Sequence, residues 1–128
     1  MQPYTITLEC DFPEFWRYNL IVQGQVTNQR GLCNYFDHSD VVAPVGSNLT
    51  QPPANHQLRC RTVLESTLGD GLQIYIYIIP HTLPQTNLLS ESKPFEFCVQ
   101  INQGNRSVYK HRYLVSLWTG RNIRITLL

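Results

Sequence analysis

Charge is scarce in this chain. Asp, Glu, Lys and Arg make up 15% of its 128 residues, against about a quarter in ordinary soluble domains. The polar surface must therefore come largely from Asn, Gln, Ser and Thr, and a weakly charged surface tolerates close approach by a partner. The formal net charge of +1 argues against attraction of the whole molecule to nucleic acid or to an anionic membrane. Negative charge stops before residue 97, while Arg106, Lys110, Arg112, Arg121 and Arg124 all lie beyond it.

Long apolar runs are missing too. No stretch approaches the ~20 residues of a membrane-spanning helix, so no transmembrane segment is expected. The opening "MQPYTITLEC" has neither the basic start nor the apolar block of a signal peptide. The expected location is therefore the cytoplasm, or outside the cell if a leader has been removed before Met1. Also missing are a nucleophile elbow, a glycine-rich phosphate loop and an H-E-x-x-H pair. No segment shows a capped helical period, and there are no internal repeats.

What the chain has is period-two alternation, the mark of half-buried strands. In "YTITLEC", Tyr4, Ile6, Leu8 and Cys10 share one face; Trp16, Tyr18, Leu20, Val22 and Val26 do the same over residues 16–27. "LRCRTVLESTL" sends Leu58, Cys60, Leu64 and Leu68 inward, and "FEFCVQI" does so with Phe95, Phe97, Val99 and Ile101. "SVYKHRYLVSLW" alternates Tyr109, His111, Tyr113 and Val115 against Lys110 and Arg112, and "NIRITLL" closes with Ile123, Ile125 and Leu127 on one side. "LQIYIYII" is apolar on both faces and rich in β-formers, so it reads as a central strand. Gly69-Asp70-Gly71, Gln103-Gly104-Asn105 and Thr119-Gly120-Arg121 supply turn chemistry for three hairpins, and Pro80 ends the apolar strand. Residues 28–57, rich in Pro, Gly and Asn, read as one long loop.

These elements predict an all-β fold: a single-domain antiparallel β-sandwich of seven to eight strands over residues 1–128, Greek-key-like, with one long loop at about 28–57. The chain is long enough for one domain with a real core.

The most chemical stretch is "CNYFDHSD", residues 33–40. Asp37 and Asp40 offer two oxygen ligands for a hard cation such as calcium, but few for a full coordination shell. The plainer reading is a polar loop in which Asp37, Ser39 and Asp40 bond their own backbone. A cysteine nucleophile needs a histidine base in reach, so Cys33 with His38 or His56 is the one catalytic pairing to consider. Cys10, Cys33, Cys60 and Cys98 have no zinc spacing; free thiols are expected from the missing leader, with two disulfides as the alternative.

Two surfaces carry the binding expectation. Tyr75 and Tyr77 project from the face opposite Ile74, Ile76 and Ile78, and tyrosine suits interfaces because it joins apolar area to a polar tip. Arg59, Arg61, Lys110 and Arg112, with Arg124, form a basic stripe if their strands are neighbours. The sequence thus predicts a module without catalysis or cofactor, an interaction or structural part of a larger assembly. Its expected partner is another protein chain, a second copy included. A ligand-binding sandwich for calcium and lipid or for carbohydrate is second, and a small enzyme using the loop Cys and His is third. Nucleic acid is not expected as a partner, because the aromatic residues mostly alternate inward.

Overall fold

Among the described residues the seven alternating runs form seven strands, residues 33–40 add an eighth, and there is almost no helix. The computed structural model describes residues 2–31, 33–54, 61–85, 88 and 92–127. The strands are β1 (Gln2–Cys10), β2 (Tyr18–Thr27), β3 (Cys33–Asp40), β4 (Arg61–Gly69), β5 (Gly71–Pro80), β6 (Phe95–Gln103), β7 (Arg106–Val115) and β8 (Arg121–Leu127); one 3-10 turn, Phe15–Arg17, precedes β2. They make two four-stranded antiparallel sheets, β4-β1-β6-β7 and β3-β2-β5-β8.

The inner faces meet in one apolar core. Ile6, Val22, Ile74, Ile76, Val99, Ile101 and Val115 have no exposed surface. At one end Phe15 and Tyr18 pack with Phe95, ring centroids 5.4–5.9 Å apart. The Tyr18 hydroxyl donates to the Leu117 carbonyl at 2.9 Å, so the buried phenol keeps a partner. β5 lies between β2 and β8, with Ile74, Ile76 and Ile78 in the core and Tyr75 and Tyr77 half-buried on the outer side, as its pattern predicts.

Three expectations are corrected. First, residues 33–40 are not loop: they form β3, paired with β2 from Leu20↔Asp40 to Thr27↔Cys33. The turn at residues 28–31, closed by the Gly31 amide donating to the Asn28 carbonyl, makes β2 and β3 a hairpin. β3 is an edge strand exposed over most of its length; its inward residues Phe36, His38 and Asp40 are only half-buried and two of them are polar, so no apolar period marks it and its order comes from backbone pairing. Phe36 is its apolar anchor, and the Phe36 ring occupies the space beside Gly24, where a Cβ would stand 2.1 Å from it.

Second, two of the three predicted hairpins are crossings. Gly69-Asp70-Gly71 links β4 in one sheet to β5 in the other, and residues 116–120 do the same for β7 and β8. Only the turn at Gly104 joins neighbours, β6 and β7. Turn residues specify a reversal of direction; they do not say which sheet receives the next strand. Third, Leu68 is 53% exposed. The register of β1 against β4 shifts between Pro3 and Thr5, and such a bulge moves every following side chain to the other face. Ser66 is buried instead, its hydroxyl accepting from the Tyr4 amide at 2.9 Å.

Candidate functional site

The two outer faces of the sandwich differ in chemistry. On the first sheet, antiparallel pairing sets Arg61, Glu9, Cys98 and Arg112 in one row across the strands. The next row is Val63, Thr7, Gln100 and Lys110, with Glu65, Thr5 and Asn102 beyond it. Glu96 lies at the far end, opposite Leu114. Three of the predicted cations, Arg61, Lys110 and Arg112, therefore do share a face. They share it with Glu9, Glu65 and Glu96, and two of them are paired: Arg61 Nε lies 3.4 Å from Glu9 Oε1 and Arg112 Nη1 lies 3.6 Å from Glu96 Oε2. Exposed pairs of this kind contribute about 0–1 kcal/mol each. What they do change is the field, which is mixed rather than basic. Arg124 points from the outer face of the other sheet, opposite Tyr75. Arg59 lies outside the described residues.

On the second sheet the central row is Asp37, Gln23, Tyr75 and Arg124. Beside it run Tyr35, Gln25, Gln73 and Thr126, and on the other side Ser39, Ile21, Tyr77 and Asn122. Only Asp37 and Arg124 are charged, and they stand on opposite edge strands. The Arg124 guanidinium lies 5.9 Å from the Tyr75 ring centroid, close enough for a cation–π contact, so it leans inward over the face. Tyr35 is 79% exposed. The end of the face is closed by residues 41–43, which bond the buried Asn19 side chain: its Oδ1 accepts from the Val42 amide at 2.7 Å and its Nδ2 donates to the Ala43 carbonyl at 2.8 Å.

Beyond that closure, Ile79, Val45, Leu83 and Trp118 line an apolar groove. Beneath it sits a buried polar cluster that sequence patterning did not reveal, since it has no period. Arg17 stacks over the Trp16 ring at 4.7 Å, contacts Glu14 at 3.3 Å and donates to the Leu83 carbonyl at 3.2 Å. His81 Nε2 donates to the Trp16 carbonyl at 2.6 Å, while Nδ1 is 2.8 Å from the Thr82 hydroxyl. The only hint in the sequence was the pair His81-Thr82 held between Pro80 and Pro84.

The strand form of residues 33–40 decides the fate of the chemistry read there. Asp37 and Asp40, three residues apart on a strand, point to opposite faces and do not converge on one cation. Cys33 and His38 are likewise on opposite faces and about 16 Å apart along the strand; His56 and Cys60 lie outside the described residues. Among the described residues, no group of three His, Cys, Asp or Glu side chains is placed to hold a metal ion; Cys33 and Cys98 are free thiols, and the buried Cys10 sulfur accepts from the Phe12 amide at 3.4 Å. No helix among them is long and apolar enough to cross a membrane.

A tyrosine cluster lies on the half-buried side of β7, packed against the core. Tyr109 and Tyr113 are hydrogen-bonded through their hydroxyls, His111 meets Tyr113 edge-on at 4.5 Å, and the Arg121 guanidinium lies 5.0 Å from the Tyr113 ring centroid. Burial, then the bond with Tyr109, pushes the Tyr113 phenol well above its ordinary value. Burial does the same to Tyr18. Both phenols are therefore neutral near pH 7, not bases. The sign for stability follows. With folded pKa raised, the folded state holds protons that the unfolded chain releases near pH 10, so the contribution is intact below pH 10 and is lost as pH rises. Thermal melts between pH 8 and 11.5 are expected to show stability falling from about pH 10. The fall should be shallower in Tyr18→Phe than in the parent.

No protein-family model matches the chain, and no curated protein is similar to it in sequence. Among solved structures it is similar to a DUF4425 family protein from Bacteroides ovatus, with a TM-score of 0.57, 11% identity, and coverage of 98% of this chain and 94% of that one. At that identity the likeness is one of fold alone.

Proposed function

We propose that the chain is a non-catalytic binding module that docks another protein chain through the outer face of the β3-β2-β5-β8 sheet. The observation that supports this is the contrast between two faces of one molecule. The first sheet carries Glu9, Glu65, Glu96, Arg61, Lys110 and Arg112, the composition of a solvated surface. The second carries Tyr35, Tyr75, Tyr77, Ile21, three glutamines and an asparagine, with charge only at its edges. Charge depletion and tyrosine enrichment together mark the centre of protein contact surfaces. Bulk hydrophobicity does not distinguish such surfaces, and a sheet face of this kind offers large rigid rings at low conformational cost.

A second reading rests on Tyr35. A ring 79% exposed beside amide side chains also suits the face of a sugar, and titration calorimetry with soluble polysaccharides separates the two. The proposal is tested by Tyr75→Ser with Tyr77→Ser. In gentle extracts of the cell that makes it, the parent is expected to elute above its own 14.8 kDa, and the double variant at the mass of the free chain. Identical elution of the two would remove the face from the account.

A further inference from the structure

Resting on that reading, we infer that the partner of this face is a second copy of the same chain, packed face to face about a two-fold axis that runs parallel to the strands. The central row supplies the reason. From edge to edge it reads Asp37, Gln23, Tyr75, Arg124. An axis parallel to the strands, passing between β2 and β5, lays β3 of one copy over β8 of the other. Asp37 of each copy then faces Arg124 of the other, twice over, and Gln23 faces Tyr75. Among the described residues neither Asp37 nor Arg124 has an ion-pair partner within the chain.

The flanking rows match under the same rotation: Ile21 faces Tyr77, Ser39 faces Asn122, and Tyr35 faces Thr126. An axis across the strands and centred on the row instead sets Asp37 on Asp37 and Arg124 on Arg124, which like-charge repulsion opposes. Isologous pairing of one patch with itself is the commonest form of oligomer. Twisted sheets pack at about 30°. Asp37 and Arg124 stand about 7 Å from the axis, one and a half strand spacings. That angle displaces them by about 4 Å, within the reach of an arginine side chain.

The face is about 19 Å wide and about 20 Å long, so the contact falls at the small end of specific interfaces and the dimer is a weak one. Sedimentation equilibrium of the purified chain up to about 1 mM, high enough to populate a weak dimer, is the test. The parent's weight-average mass should rise from 14.8 kDa towards twice that value. Asp37→Arg and Arg124→Asp, both at exposed positions, should each stay at the mass of one chain. Their equimolar mixture should associate like the parent, because each like-charge contact becomes an opposite pair. Asp37→Lys and Arg124→Glu serve if either variant melts early. A parent that stays at 14.8 kDa, single variants that associate like it, or a mixture that does not, each overturns the inference. A monomeric purified parent that nevertheless elutes as a larger species from extracts overturns self-pairing alone; one at 14.8 kDa in both settings overturns the docking face as well.

Discussion

Ile76→Ala is expected to destabilise the fold by about 2–5 kcal/mol, the range for truncating a fully buried aliphatic side chain. Ile76 has no exposed surface and sits mid-strand in β5, with Val22 and Ile123 as its cross-strand partners. The alanine leaves a cavity that the two neighbouring strands cannot close without shifting the ladder, which places the expected loss in the upper half of that range. Urea unfolding measures it, as a lower midpoint with an unchanged slope. Tyr75 and Tyr77, one residue away on either side, point outward and are half-buried; replacing both with serine is expected to cost less than the single isoleucine does. Equal losses would mean that the rings belong to the core.

Gly120→Ala is the second large effect. Gly120 has φ of +67° and is buried, and a Cβ there would stand 2.0 Å from the Ile78 carbonyl oxygen and 2.8 Å from Pro80 Cδ. The left-handed backbone alone costs an alanine roughly 1–2 kcal/mol. The clash adds to it, because the obstructing atom is backbone of the central strand and is not free to swing away. A total of about 3 kcal/mol or more is expected, within the tail reserved for strained and overpacked sites. Gly31→Ala is the control: its φ is +76° with nothing within 4 Å, so it should lose the conformational part alone. Equal losses in the two variants would show that the contact with Ile78 does not matter.

The parts of the fold that were legible in the sequence are those where burial writes a period. β1, β2, β5, β6 and β8 each present one face to the core, and their apolar residues alternate accordingly. β3 was not legible because neither of its faces is deeply buried, so backbone pairing holds a strand whose side chains look like a loop. The bulge opposite Tyr4 was hidden for a related reason: Leu68 continues the apolar pattern after the register has changed. The aromatic half of the candidate site was legible, since Tyr75 and Tyr77 follow from the isoleucines between them. Its charges were not. Arg61, Lys110 and Arg112 were grouped with Arg124 on the condition that their strands are neighbours, but strand order sets the first three on one sheet, where Arg61 and Arg112 meet carboxylates, and sends Arg124 to the other side of the molecule. Asp37, read as turn chemistry, becomes one end of the row that Arg124 completes.

The claim that one outer face docks a protein chain and the other meets solvent is tested most directly by contact in the cell. A photo-crosslinking amino acid placed at residue 75, in the middle of the neutral face, is compared with one at residue 7, in the middle of the charged face. A discrete adduct with a protein chain is expected from residue 75, equal to twice the mass of the chain if the partner is a second copy, and none from residue 7. Adducts from both positions alike, or from residue 7 alone, would contradict it.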